Sequence, residues 1–289
     1  MEYFNGKFYL FFSAFYKDRG KIRSHVVEVS TQDWIKYSEP ILHIDGTEDG
    51  WTGLCSPNIS KIGENYILTI NSWGEKHPNG RTNNLFYTTS RDLEKWDHPK
   101  QVAKNLTENE RVIDIAFAHE NNKYYLIYKQ RIRGKVGWKD FPRISTAKSL
   151  DDEFEFIGDG FVKLFRKNGR ESKKPHENYQ FLKIDGIWYL LTTSYRPHRP
   201  YLYRMAGDGK GKNDSDWLIW EEGYELLVKE ENFNTFDRSN AGFLADWRDY
   251  DDYFYLIYAG TTEDLSFARR GNNKLGLSKS KDLVNFECP

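Results

Sequence analysis

The chain has 289 residues, a formal net charge of −1 and no basic tract, which gives no electrostatic case for nucleic acid or an anionic membrane as partner. No apolar run reaches the roughly 20 residues that a membrane-spanning helix needs, and the two cysteines, Cys55 and Cys288, show neither metal-ligand spacing nor a disulfide framework. Aromatic residues make up 16% of the chain, a composition that suits half-buried pleated surfaces and the walls of sugar-binding clefts alike.

In chain order, residues 3–15 read as a strand, 21–30 as a second and 34–40 as a third, outer one, followed by a loop over 41–50. A further group of strands runs from about 53 to 99, opening on LCSPNISKI, and another from about 111 to 159, opening on VIDIAFAHE. The next runs from about 176 to 222. Its start, HENYQFLKIDGIWYLLTTSY, predicts a strand over 176–184, a tight turn at Asp185-Gly186 and a strand over 187–195. The last group runs from about 240 to 286 and opens on AGFLADWRD. Residues 131–140, 165–174 and 207–214 interrupt the pattern as loops, the first two basic and the third Gly- and Lys-rich.

The second strand of each group is written five times: NGKFYLFFSAF, GENYILTINSW, NNKYYLIYKQR, DGIWYLLTTSY and DDYFYLIYAGT, with starts 58, 58, 64 and 66 residues apart. A second motif follows each one: STQDWIKY, TSRDLEKW, AKSLDDEFEF, SDWLIWEE and SKSKDLVNFE. Two motifs in fixed order at near-constant period define a repeat architecture. Short aromatic strands without intervening helices predict an all-β fold, a five-bladed β-propeller spanning 1–289 as one domain. A strand should precede Asn5, because every other blade has one. Blade 1 is therefore expected to lack its innermost strand in this chain.

Innermost strands of a propeller converge on its axis, so polar residues near their starts are candidates for a site. Blade 2 offers Ser56 and Asn58, blade 3 Asp114, blade 4 His176, Glu177 and Asn178, and blade 5 Asp237, Arg238 and Asn240. Trp51, Trp73, Tyr195 and Arg196 are candidate walls or substrate contacts. Asp114 lies within an apolar VIDIAFA run, where a carboxylate is costly unless it is paired or serves a site. It precedes Tyr125 by 11 residues and Glu177 precedes Tyr189 by 12, a spacing that reads as equivalent positions on adjacent blades. Paired carboxylates in an aromatic cavity are the equipment of glycoside cleavage. The alternative is that Asp114 pairs with Arg238 or another basic residue and only ties blades together.

With these motifs the chain resembles the five-bladed propeller glycoside hydrolases, most closely the family 43 group of arabinanases, arabinofuranosidases and β-xylosidases. RVIDIAF is similar to the family's inner-strand Asp motif, HENYQFLKIDGIWYLL to its blade 4 Glu motif, and SPNISKIGENYIL to its blade 2 motif. The resemblance implies a hydrolase acting on plant or algal glycans, with inversion. Glu177 would be the general acid and Asp114 the residue that tunes its pKa. Oligosaccharide or polysaccharide would be the substrate, with neither nucleic acid nor membrane as partner. Asn58 stands where an Asp is common, and SNAGF lacks the blade 5 His that supports a central metal or water cluster. No cofactor is required, and a structural calcium has no support beyond the oxygen ligands that Asp237 and Asn240 offer. The resemblance also puts the catalytic base on the innermost strand of blade 1, a few places before Met1, so this form is expected to be impaired. No leader is visible, which leaves a cytoplasmic location as the sequence stands and a secreted or periplasmic one if a signal has been lost. The competing reading is a carbohydrate-binding propeller that lost its base.

Overall fold

A computed structural model describes residues 1–18, 20–73, 83–108, 110–135, 137–195, 197–234, 239–262 and 274–289, with Lys21 as backbone alone. The chain divides into two compact units, Met1–Lys139 with Ser145–Glu155, and Asp140–Ile144 with Phe156–Pro289. Blade 1 consists of β1 (Glu2–Phe4), β2 (Lys7–Asp18), β3 (Lys21–Thr31) and β4 (Leu42–Ile44). Blade 2 consists of β5 (Leu54–Ile62), β6 (Asn65–Ser72), β7 (Leu85–Ser90) and β8 (Lys100–Gln101). Blade 3 consists of β9 (Arg111–Glu120), β10 (Lys123–Gly134), β11 (Gly137–Ala147) and β12 (Glu155–Phe161). Each of these sheets keeps its four strands in sequence order.

In blade 4, β13 (Lys163–Arg166) precedes β14 (His176–Ile184), β15 (Ile187–Ser194), β16 (Arg199–Met205) and β17 (Ile219–Glu225), and β13 joins the outer edge as a fifth strand parallel to β17. After β18 (Leu227–Val228), blade 5 holds β19 (Ser239–Trp247), β20 (Tyr253–Gly260) and β21 (Lys274–Ser280), while β22 (Asn285–Phe286) pairs parallel with β18. Among the described residues no helix is long and apolar enough to cross a membrane.

The inner hairpins follow from their turn residues. Asp185-Gly186, Asn5-Gly6 and Asn121-Asn122 all have positive φ at both positions, between 48° and 78°. That is the primed turn whose twist matches the flanking strands. Blade 5 has no such dipeptide and uses a helical turn, Arg248–Asp251, ending on Asp252 at φ 65°.

Four sequence expectations are corrected. Blade 1 does not lack its innermost strand: β1, three residues long, holds that place beside β2. Blade 1's outer strand is β4, not residues 34–40. Residues 131–140 are not a loop: β10 and β11 run through them as a long hairpin. Residues 165–174 supply part of β13. The second repeat motif explains the second of these corrections, because it folds as a turn. Thr31, Ser90 and Ser280 take amide donors two residues on at 3.2–3.3 Å. Asp33, Asp92 and Asp282 accept the amides two and three residues beyond themselves at 2.8–2.9 Å. The residue after each Asp (Trp34, Leu93, Leu283) sits in the left-handed region at φ 58–59°. Those amide bonds hold all three carboxyls below the usual carboxylate range.

Four of the five inner strands, all but β1, carry a bulge near their start. Ser56 and Pro57 oppose Ile70, Asp114 and Ile115 oppose Tyr128, and Asn178 and Tyr179 oppose Thr192. β19 shifts register between Ala241 and Phe243. Ser56, Asp114 and Asn178 all adopt positive φ (55°, 59° and 55°), a conformation in which Asn and Asp are enriched. The extra residue takes its amide out of the ladder, so that amide needs another acceptor.

A side chain from the preceding blade supplies it. Ser13 Oγ accepts the Ser56 amide, Asn71 Oδ1 the Asp114 amide and Thr193 Oγ1 the Ala241 amide, each at 2.9 Å. Ser13, Asn71 and Thr193 stand four residues after Tyr9, Ile67 and Tyr189, the same place in the repeated second strand. Deeper in each unit, Ser60 Oγ donates to Phe117 O at 3.2 Å and the Gln180 amide brackets Leu244 N and O at 2.7 and 2.8 Å. In the second unit these bonds run beside an apolar cluster that includes Leu191, Leu202, Leu244, Leu256 and Phe286.

Glu28 on β3 is fully buried and accepts Trp96 Nε1–H at 2.7 Å, while its other oxygen has no hydrogen-bond partner among the described residues. Burial pushes its carboxyl up to about 8, against the opposing Trp96 bond and with Glu94 adding to the rise. A folded-state pKa above the unfolded value means that the native state binds the extra proton. The associated stability is therefore complete below about pH 4.5 and is lost as pH climbs toward 8, by up to about 1.4 kcal/mol per pH unit. Glu28→Gln is expected to raise the melting temperature at pH 8 and to change it little at pH 4.5, as thermal denaturation at the two pH values would show.

Candidate active site

In the first unit, Asp114 occupies the β9 bulge and is 5% exposed. Its amide donates to Asn71 Oδ1, and its carboxylate Oδ2 lies 3.0 Å from Lys129 Nζ. Both side chains are almost entirely out of water. Lys129 stands four residues after Tyr125, where the other blades carry Ser13, Asn71 and Thr193. An ammonium has three donors and no acceptor, so it cannot serve as those residues do. It turns to the carboxylate of its own blade instead.

Cys55 lies beside the pair, with Asn71 Nδ2 3.3 Å from its sulfur. Burial pushes its thiol up to about 12, which makes it unreactive at neutral pH. Ser56 is half-buried, and Asn58 is 5% exposed with its carbonyl accepting the Thr69 hydroxyl at 3.1 Å. Trp73 is half-buried and meets Phe15 edge to face at 5.5 Å. Trp51 is 8% exposed and packs edge-on against Phe86 at 5.3 Å. Glu2 pairs opposite Tyr9 in β1, a register four residues past the place that would match Asp114.

In the second unit, Glu177 is half-buried on β14, opposite Thr193. The Tyr195 hydroxyl donates a short hydrogen bond to its Oε2. Its backbone carbonyl accepts the Thr192 hydroxyl at 2.8 Å, and Asn178 Nδ2 donates to Thr193 Oγ1 at 3.2 Å. The ring of Tyr195 stacks near His198 at 4.4 Å, and Asn240 is half-buried opposite Ala259.

His176 opens β14, directly before Glu177. Its ring is 4% exposed, meets Ser172 Oγ through Nε2 at 2.9 Å and lies edge-on to Tyr203 at 5.7 Å. Burial, then Arg166 and Lys174, lower its pKa to about 3, so the ring is neutral near pH 7 and offers no imidazolium to act as a general acid. Arg196, Arg238 and Asp237 lie outside the described residues.

The bulges also correct the alignment of the two carboxylates. Asp114 corresponds to Asn178 and Ser56, whereas Glu177 corresponds to Ile113 and Cys55, one residue earlier. The sequence spacings of 11 and 12 differ by that residue. One place along a strand reverses the face a side chain takes, so the two are not copies of one position. Lys129 is the residue that sequence reasoning missed. Its signal was available: four positions past Tyr9, Ile67, Tyr125, Tyr189 and Tyr255, the column reads Ser13, Asn71, Lys129, Thr193 and Ala259.

No family model matches the chain, and no curated protein matches its sequence. Solved structures do match its fold. The RS223 β-xylosidase is 12% identical with a TM-score of 0.65, covering 100% of this chain and 93% of that one. A GH43_1 enzyme from Xanthomonas citri, solved with xylose, is 12% identical with a TM-score of 0.65, covering 100% and 88%. An exo-1,5-α-L-arabinanase from a bovine ruminal metagenomic library is 13% identical with a TM-score of 0.61, covering 96% and 91%. At these identities the likeness shows the fold alone. The chain is a five-bladed β-propeller of the kind that glycoside hydrolases of the family 43 type share.

Proposed function

We propose that this propeller is a glycoside hydrolase acting on plant or algal glycans, with Glu177 as its general acid. The observation that carries the reading is Glu177 itself. It is a half-buried inner-strand carboxyl, anchored by the Tyr195 hydroxyl, in a fold whose solved counterparts are glycosidases. A general acid must reach the leaving oxygen and hold a proton for it, and a half-buried carboxyl beside an aromatic ring has both access and a surface for a sugar. Asp114 enters as a supporting carboxylate and not as a second donor, because it faces an ammonium. We take inversion from the family resemblance.

The second reading, a propeller that binds glycans without cleaving them, is favoured by the same Lys129–Asp114 pair, which gives Asp114 a structural occupation. A hydrolysis screen against aryl α-L-arabinofuranosides, aryl β-xylosides and the matching oligosaccharides separates the two. Release of sugar from the oligosaccharides above the level of the Glu177→Gln protein supports the hydrolase. Saturable oligosaccharide binding by calorimetry with no release supports the binding module.

A further inference from the structure

Blade 1 carries a cluster that the glycosidase reading does not use. His25 on β3 and His43 on β4 lie on adjacent antiparallel strands. His43 pairs opposite Val27, and His25 is two residues from Val27, on the same face of the sheet. The imidazoles meet nitrogen to nitrogen: His25 Nδ1 faces His43 Nε2 in a close contact, with ring centroids 4.3 Å apart and the planes at 76°. Tyr16, exposed on β2, closes one side with its ring 4.9 Å from His25. His43 is open to solvent.

Asp45 stands just past β4. The Thr47 hydroxyl and amide donate to its Oδ1 at 2.7 and 2.8 Å.

We propose that His25 Nδ1 and His43 Nε2 form a two-imidazole site for a late first-row divalent cation such as Zn²⁺, Ni²⁺ or Cu²⁺. Neutral imidazole is a preferred ligand for these ions. With metal–nitrogen bonds of about 2.0–2.1 Å, two ligands of one ion lie roughly 3–4 Å apart. Nitrogens presented toward each other from neighbouring strands can reach that separation by small side-chain rotations. The open face lets an ion enter without unfolding. Among the described residues no group of three or more His, Cys, Asp or Glu converges anywhere in the chain. The site therefore supplies two protein ligands and leaves the other positions to water or to an incoming oxygen donor, with Asp45 adding charge nearby. A bare hydrogen bond between the rings is the competing account, and metal titration distinguishes them.

The experiment is calorimetric titration of the whole protein with ZnCl₂ in a non-coordinating buffer, alongside His25→Gln, His43→Gln and His98→Gln. The expected result is one specific Zn²⁺ site in the wild type, weakened at least about tenfold by either of the first two substitutions and unchanged by the third, whose side chain is 70% exposed elsewhere in the unit. Electron paramagnetic resonance of the protein with one equivalent of Cu²⁺ should show two coordinated nitrogens in the wild type and one in each single variant. This readout does not require the variants to be as stable as the parent. Zn²⁺ binding no tighter than about millimolar, binding that survives both substitutions, or a Cu²⁺ spectrum without the nitrogen pair would overturn the proposal.

Discussion

Glu177→Gln is expected to lower the turnover of natural oligosaccharides by roughly 10²–10⁴-fold, the usual contribution of a positioned proton donor, while the unfolding midpoint stays close to that of the parent. The amide keeps the size of the carboxyl, and its oxygen can still accept from the Tyr195 hydroxyl. What it loses is the proton. The loss should therefore depend on the leaving group. A sugar alkoxide needs protonation as the bond breaks, whereas a dinitrophenolate leaves without help. Glycosides of dinitrophenol should be cleaved by Glu177→Gln at a rate within about tenfold of the wild type, and the alkaline limb that a proton donor imposes should vanish from the pH profile. A uniform loss on both substrate types would instead mean a damaged site. Undiminished turnover on oligosaccharides would end the assignment of Glu177 as acid, and His176 could not replace it, since its buried ring already bonds to Ser172.

The repeat and its hairpins were legible because their cause is local. Asp185-Gly186 and Asn5-Gly6 demand positive φ at two successive residues, and only a few residue types supply that. Strand limits read from such turns hold: β14 and β15 fall on 176–184 and 187–194, against expectations of 176–184 and 187–195. Tertiary causes were not legible. The bulges at Ser56, Asp114 and Asn178 insert a residue on one side of each ladder. Counting back from an aromatic on the partner strand then fails by one unless the bulge is known. That error made Glu177 and Asp114 look like equivalents. The outer strand of blade 1 was misplaced for a different reason. STQDWIKY has the aromatic and β-branched content of a strand, but Thr31 and Asp33 capture backbone amides and force Trp34 into a left-handed turn. The Ser/Thr-x-Asp spacing was there to be read as turn chemistry.

Lys129→Met is expected to destabilise the protein by about 3–5 kcal/mol, the cost of leaving a buried carboxylate without its countercharge. Asp114 cannot reach water by a small movement, because it is 5% exposed and its amide is fixed to Asn71. Denaturant unfolding would measure the effect. The pair as a whole need not stabilise the fold, however. Blade 2 carries Ser56 at the bulge and Asn71 at the fourth place after Ile67, and it folds without any charge there. Asp114→Ser combined with Lys129→Asn writes the blade 2 pair into blade 3. This double variant should fall within about 1 kcal/mol of the wild type, since replacing both members of a buried ion pair is often nearly neutral. The coupling between the two sites, taken from the double-mutant cycle, should then be about 2 kcal/mol or more. A Lys129→Met protein as stable as the parent would show that Asp114 finds another partner. The double variant also separates structure from chemistry. If it regains stability and keeps full hydrolysis, the pair only holds blade 3 together. If it regains stability and hydrolyses poorly, the carboxylate of Asp114 takes part in the reaction, and Lys129 is there to hold it in place.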